Sequence, residues 1–473
     1  PDSKEVAFVS DHEGSSALYR LELPGEGKPR KVAPGGGAPV AWLARTKRLY
    51  RLERGTPVSV DRGGKSDSYS FRITLRIDRR AEREQVFEEA WRTLDERYYD
   101  GAHGGVDWRA MREKYRSIAA SRRSAEELGV IVNMMLGELN GSHLGFSAAG
   151  RYRSAGAQTG VLGLRFDADF AGPGRRIAEV VPEGPADRGE VHLEPGDRIL
   201  AIDGEPIDRD TNLSLLLADR IGRRVRLEVA RAGEGEKASD DGEPVVEIVR
   251  PISSARERSL IYEAWIAKNR RRVEERSAGR IGYLHIRGMN VPSLERFESE
   301  LYSVGHGREG LLIDVRNNGG GWTTDYLMAI LSRAPHAITV PRGGGGGYPI
   351  GRLVIPSWTR PIAVLCNQNS FSNAEIFSHA IKTTGRGKLI GVTTAGGVIS
   401  TGRRTLIDGS SIRVPTRGWY VRPSGRNMEL NGAVPDIEIW PTPEDEIAGR
   451  DRQLEAAVDA LLGELAPGER RVF

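Results

Sequence analysis

Cysteine is nearly absent. Cys366 is the single one in 473 residues, so no disulfide within the chain and no cysteine-rich metal site can form. Long apolar runs are missing too: no stretch approaches the roughly 18 consecutive apolar residues that a membrane-crossing helix needs. Neither sign of charge is in excess, because Lys+Arg 69 against Asp+Glu 65 leaves a net +4. The arginine content is therefore no basic face, and nucleic acid is not an expected partner. With no His-Glu-x-x-His pair and no nucleotide-binding turn, neither a metal nor a cofactor is expected. Histidine is scarce as well, at 8 residues, so each candidate general base can be weighed in turn. The chain opens Pro1-Asp2-Ser3, with no initiator methionine and no charged-then-apolar leader. A longer parent chain extending upstream is expected, with a cytoplasmic location.

What is present fits several globular domains: 58 glycines and 25 prolines among 38% hydrophobic and 28% charged residues. Residues 1–77 read as short β segments, at 6–9, 17–21, 40–43, 49–52 and 71–75, separated by Gly/Pro punctuation. Their spacing is that of propeller blades. One or two blades cannot close a core, so a truncated β-propeller end is the expectation.

Over residues 78–154 the period becomes helical, with Val86, Phe87, Ala90, Trp91, Leu94 and Tyr98 on one stripe and Leu128, Ile131, Val132, Met135 and Leu136 on another. The second helix should stop at Asn140-Gly141. Residues 155–252 form a separate unit. Its opening Gly160-Val161-Leu162-Gly163-Leu164 and its central Gly196-Asp197-Arg198-Ile199-Leu200-Ala201-Ile202-Asp203-Gly204 resemble a PDZ domain. That resemblance implies a loop, Gly160, Val161, Leu162 and Gly163, whose N–H groups meet a peptide carboxylate while the peptide joins a sheet edge. In residues 253–473 a charged connector, 269–276, reads as a solvated helix face. Strands then alternate with helices, which predicts an α/β sheet with right-handed crossovers, and a helix over 454–465 closes the chain.

Two turns could carry chemistry. The apolar strand 311–315 ends in Arg316-Asn317-Asn318-Gly319-Gly320-Gly321 before a helix starting near Asp325. Exposed N–H groups in such a turn suit an anionic oxygen, but no Gly-Lys-Ser or Gly-Lys-Thr follows. An oxyanion hole and a plain tight turn both remain open. The next strand, 362–366, leads through 367–371 to Ser372-Asn373-Ala374-Glu375 and an amphipathic helix. Ser-x-x-Glu is a capping box. A serine at a strand-to-helix junction is equally where hydrolytic α/β enzymes expose a nucleophile.

A serine nucleophile needs a base. His379 lies seven positions along the same helix, an axial rise of about 10 Å, which is beyond hydrogen-bond reach. His12, His103, His192, His285, His306 and His336 have no distinctive setting. His143 stands just past a helix C-terminus, whose partial negative charge favours an imidazolium. Cys366 closes an apolar strand and reads as core.

In order along the chain stand a blade-like β region, Asn140-Gly-Ser-His143, the PDZ-like unit, Asp314-Val-Arg-x-Asn-Gly-Gly-Gly321, and Asn369-Ser-Phe-Ser-Asn-Ala-Glu-Ile-Phe377. This order resembles the C-terminal half of tricorn-type serine peptidases and, more distantly, the C-terminal processing (tail-specific) proteases. The resemblance implies a multidomain α+β and α/β protein: a helical subdomain, a PDZ insert and a crotonase-like α/β catalytic subdomain. It implies peptide substrates, with Ser372 as nucleophile, His143 as general base, Ser142 orienting that base and Glu429 completing a tetrad. Gly319 or Gly320, with the N–H of Asn373, would form the oxyanion hole. A homo-oligomer, in that family a hexamer, is implied as well.

Two departures bear on mechanism. Ser/Lys processing proteases carry a base lysine some two dozen residues past the serine, where this chain reads Thr393-Thr394-Ala395-Gly396-Gly397. The Ser/His arrangement is thereby favoured, and Lys382 or Lys388 would have to serve in a Ser/Lys alternative. The family also has aspartate after its nucleophile, lining a pocket for a basic side chain. Neutral Asn373 holds that substrate-binding position here, so no basic preference is implied. The remaining alternative is a non-catalytic, PDZ-containing peptide-binding scaffold in which Ser372 only caps a helix.

Overall fold

Five segments form one parallel sheet, in the order Ile281–His285, Gly310–Asp314, Ile362–Cys366, Lys388–Gly391 and Ile437–Glu438. The computed structural model containing it describes all residues except 1–3, 25–26, 38, 44, 75, 151–157, 233–242, 334–341, 344–355 and 466–473. Helices Val291–Ser303, Thr324–Leu331 and Asn373–Thr383 lie between successive strands, as parallel pairing requires.

Alternation along these strands serves two cores. Leu311, Ile313, Val364 and Cys366 face a cluster that includes Phe297, Leu301, Leu327, Phe377 and Ile381. Leu312, Ala363 and Leu365 face Ile266, Val273, Leu454, Val458 and Leu461. Burial of each such side chain contributes about 1.5–3 kcal/mol, so the sheet is a stiff base for the turns at its carboxyl edge. The expected charged connector belongs to the long helix Ser254–Arg276; its Asn269 and Val273 are buried and only the remainder faces outward.

The chain divides into two compact units, 1–79 and 80–473. The first contains a three-stranded antiparallel sheet, Glu5–Ser10, Ala17–Glu22 and Arg30–Pro34, and a four-stranded one, Pro39–Leu43, Arg48–Glu53, Thr56–Val60 and Ser66–Ser68. Arg54 and Gly55, at φ 49° and 84°, make the tight turn of one hairpin. The strand expected at 71–75 does not form in its described part. Residues 71–74 join no strand ladder among the described residues, and Phe71 and Ile73 are 64% and 70% exposed.

In the second unit, helices Arg79–Arg97, Trp108–Ala120 and Ala125–Gly137 pack around Val86, Phe87, Leu94, Leu128, Val132 and Met135. Asp107 and Ser124 cap the latter two by accepting from the N–H groups of Ala110 and Glu127. The third helix ends at Gly137, short of the expected Asn140-Gly141. Asn140 instead takes the left-handed conformation, φ 44°, that turns the chain toward His143. Strand Gly145–Ser147 then pairs with Ser411–Gly418, which pairs in turn with Ile399–Thr405. This ladder fastens the His143 segment to the sheet-bearing part of the unit.

The PDZ-like region has strands Leu164–Phe166, Arg175–Val180, Arg198–Ile202, Val225–Ala230 and Val245–Val249 in that spatial order. The expected carboxylate loop needs correction. Gly160 and Val161 are ladder residues paired with Ser253 and Ile252, and the Gly160 N–H donates to Leu217 O at 2.9 Å. The two ends of the inserted unit meet there, which takes those groups away from any ligand. Leu162 is buried and Gly163 turns at φ 72°.

Candidate active site

Ser372 lies between strand Ile362–Cys366 and helix Asn373–Thr383, at φ 58° and ψ −117°. That backbone is costly for a residue with a side chain, of order 1–3 kcal/mol, and persists only where its surroundings enforce it. Here they do. The Phe371 N–H donates to Asn318 O at 2.9 Å, and the Ser372 N–H donates to Glu375 Oε1 at 3.0 Å. The capping interaction and an outward hydroxyl therefore coexist, where the sequence presented them as rival readings.

The Ser372 hydroxyl lies 2.9 Å from His143 Nε2. His143 is buried, at φ 60°, with its ring stacked on Phe371 at 4.8 Å. Its Nδ1 is 2.7 Å from Ser142 Oγ, which is 2.8 Å from Glu429 Oε2. Glu429 also accepts from the N–H groups of Ser142, at 2.6 Å, and Val398, at 2.7 Å. Residues 142, 143, 372 and 429 are thus brought together across as many as 287 positions of sequence.

Proton accounting fixes the tautomer. The single Ser142 hydroxyl proton is donated to Glu429 Oε2. Ser142 Oγ must then accept from Nδ1–H, which leaves Nε2 bare and facing Ser372. Burial, and next the charge of Arg413, push the imidazole down to about 4, so it is neutral at ordinary pH.

The glycine turn lies against this serine. A Cβ on Gly320, at φ 89°, would come within 2.7 Å of both Phe371 O and Ser372 Cβ. The Gly320 N–H already donates to Asn318 Oδ1 at 2.9 Å. Among the described residues the N–H groups of Gly319 and Asn373 have no acceptor. Behind the turn, Arg316 bonds the buried Asp314 at 2.7 Å and reaches Asp451 and Gln453. Burial opposes the charge on Asp314, yet Arg316 holds its carboxyl below the usual range.

Other expected residues go elsewhere. The Asn373 side chain, expected at a substrate-binding position, is buried, and its Oδ1 accepts from the Thr324 N–H at 2.9 Å. His379 Nε2 is 3.3 Å from Asn431 O, Lys382 bonds Val434 O and Asp436, and Lys388 pairs with Glu464. His103, given no special setting by the sequence, is buried and stacked between Tyr98 and Trp108. His285 is buried against Tyr262 and Arg316 O, and His336 lies outside the described residues. Burial pushes the Cys366 thiol up to about 12, as a core position should. Sequence reasoning missed Asn318, whose side chain spans Ile286 O and the Gly320 N–H; its place beside three glycines was the available signal.

A peptidase family S41 model matches residues 280–439, a tricorn protease C1 domain model residues 79–137, and a PDZ domain model residues 176–231. Tricorn protease homolog 1 of Streptomyces coelicolor is 32% identical over 465 residues, covering 96% of this chain and 41% of that protein. The tricorn protease of Thermoplasma acidophilum is 30% identical over 391 residues, covering 80% and 35%. A crystal structure of the tricorn protease matches with a TM-score of 0.79 at 25% identity, over 98% of this chain and 46% of the other. The chain spans less than half the length of these relatives. No helix among its described residues is long and apolar enough to cross a membrane.

Proposed function

From a chain that carries an S41 peptidase domain together with a tricorn C1 domain and a PDZ domain, we propose a serine peptidase that hydrolyses short or unfolded peptides. The observation that carries the reading is the 2.9 Å contact between His143 Nε2 and Ser372 Oγ, with the imidazole in the tautomer able to accept the serine proton.

In this reading Ser372 Oγ attacks the scissile carbonyl carbon while Nε2 takes the hydroxyl proton. The carbonyl oxygen becomes an oxyanion held by the N–H groups of Gly319 and Asn373. Gly320 permits their close approach without donating. The imidazolium, steadied through Ser142 by Glu429, gives its proton to the leaving amine as the C–N bond breaks. Water, deprotonated by the same nitrogen, then releases the acyl group and restores the serine. Preorganised donors of this kind typically supply a factor of about 10²–10³ each. The two small sheets of residues 5–68 are read as propeller blades, the parallel sheet and its helices as a crotonase-like subdomain, and the working form as a homo-oligomer.

A fluorophosphonate probe tests the proposal: it should label Ser372, and Ser372→Ala should abolish both labelling and peptide hydrolysis with an unchanged melting profile. Turnover by Ser372→Ala at the parent rate would overturn the assignment. Absence of labelling in folded, assembled protein would favour the non-catalytic scaffold.

A further inference from the structure

Glu375 is fully buried on helix Asn373–Thr383, and the proposed reaction does not use it. Its carboxylate nonetheless has four donors. Oε1 accepts from the N–H groups of Ser372, at 3.0 Å, and Gly397, at 2.8 Å. Oε2 accepts from Thr394 Oγ1 at 2.7 Å and from the Gly396 N–H at 2.5 Å. An ordinary capping box needs only the first of these. The other three come from a different segment, some twenty positions along the chain.

That segment leads to the acidic end of the proposed tetrad. The Val398 N–H donates to Glu429 Oε2, Gly396 O accepts from the Leu430 N–H at 2.7 Å, and Thr394 Oγ1 accepts from the Ala433 N–H at 2.8 Å. Packing repeats the pattern. A Cβ on Gly397 would meet the Phe371 ring at 2.2 Å, and that ring is the one stacked on His143. A Cβ on Gly432 would meet Thr394 O at 2.1 Å. The 394–398 segment is therefore wedged between the turn bearing Ser372 and the loop bearing Glu429.

We infer that Glu375 is a positioning residue that locks the strained backbone of Ser372 to the 394–398 segment, and through it to Glu429, so that the two ends of the tetrad hold one spacing. The segment where Ser/Lys enzymes place a lysine has, in this chain, become the partner of a buried carboxylate. Burial works against the charge on Glu375 and raises its proton affinity, while its four donors oppose that rise. A group so placed has little tolerance for an amide: Glu375→Gln must aim an NH₂ at existing donors.

The inference rests on the proposed peptidase reading, so its test has one readout independent of activity. Hydrogen exchange is compared for the full chain, Glu375→Gln and Thr394→Val. Loss of the Glu375 bridge should speed exchange at least tenfold in two separate places, around residue 372 and across residues 396–398, while the sheet strands stay protected. Acceleration confined to residues 372–375 would reduce Glu375 to a helix cap and overturn the inference. Fluorophosphonate labelling is the second readout: Glu375→Gln should label about 10²-fold more slowly and Thr394→Val about tenfold, with peptide KM within twofold of the parent. Parent-rate labelling by a folded Glu375→Gln would equally overturn it. If Glu375→Gln does not fold, Thr394→Val decides by the same criteria. A parent protein that never labels would count against the peptidase reading alone, and the exchange pattern would still judge Glu375.

Discussion

Ser142 donates to Glu429 twice, its backbone N–H to Oε1 at 2.6 Å and its hydroxyl to Oε2 at 2.8 Å. Two parallel bonds from one residue fix the hydroxyl rotor, and with it the His143 tautomer. In Glu429→Gln one acceptor becomes a donor facing Ser142 or Val398. The Ser142 proton can then turn to Nδ1, moving the imidazole proton to Nε2, where it opposes the Ser372 hydroxyl. We expect kcat to fall by about 10²-fold or more, with the KM little changed, measured on a short peptide. Ser142→Ala leaves Nδ1–H without its acceptor and should cost less, about tenfold. Parent kcat in Glu429→Gln would show that the relay does not set the tautomer.

The low proton affinity of His143 has a sign that can be read in a pH profile. Burial and Arg413 both disfavour the imidazolium, so the neutral base persists down to about 4. The acid limb of kcat/KM should therefore lie near 4 instead of the usual 6.5. Arg413→Gln removes the smaller cause and should move the limb upward, though not to 6.5, because burial remains. Stability follows the same sign. The unfolded chain takes up this proton near 6.5 and the folded one near 4, so acidification through that window should destabilise the fold. His143→Ala should remove that component from the pH dependence of the urea midpoint.

Buried parallel strands were legible because, covered on both faces, they are written as apolar runs such as residues 311–313 and 362–366. The two turns at their carboxyl ends were legible for the same reason, since a run that stops abruptly marks an edge. Residues whose place depends on a partner distant in sequence were not. Nothing around His103 announces its two aromatic neighbours, and the glycines at 160 and 163 look alike although only the second turns with positive φ. Ser-x-x-Glu offered cap or nucleophile as alternatives. The cap and a hydroxyl free to meet His143 coexist because Glu375 takes the Ser372 N–H and leaves the hydroxyl 2.9 Å from Nε2.

The carboxamide of Asn133 bonds both backbone groups of Phe146, Oδ1 accepting from its N–H at 2.8 Å and Nδ2 donating to its C=O at 3.1 Å. Phe146 is at the middle of strand Gly145–Ser147, whose other side pairs with Ser411–Gly418. One side chain thus stands in for a neighbouring strand at a sheet edge, three residues from His143. Asn133→Ala should destabilise the fold by about 1–3 kcal/mol, read from thermal or urea melting, because two partly buried backbone groups lose their partner. Asn133→Asp keeps the acceptor but sets a carboxylate oxygen against Phe146 O, and should be no better than alanine. A neutral alanine variant would mean that water replaces the amide freely.

Gly319 and Gly320 are adjacent, yet they should respond in opposite ways to the same methyl group. At Gly319 an added Cβ meets nothing within 4 Å, φ is not positive, and the N–H that the proposed oxyanion hole needs is retained. At Gly320, φ is 89°, and the Cβ would lie 2.7 Å from Phe371 O and Ser372 Cβ and 3.0 Å from the Asn373 nitrogen. Those neighbours are the backbone of the Ser372 turn, which cannot move without shifting both Ser372 and the Asn373 N–H, the second proposed donor. Gly319→Ala should therefore keep kcat/KM within about twofold. Gly320→Ala should lower it by about 10²–10³, the scale of losing one oxyanion donor, and strain the left-handed position by about 1–2 kcal/mol. Measuring both variants on one peptide, with melting curves alongside, separates the two effects. A Gly319→Ala enzyme as impaired as Gly320→Ala would mean that the open space beside Gly319 is filled by substrate, and that the donor is elsewhere.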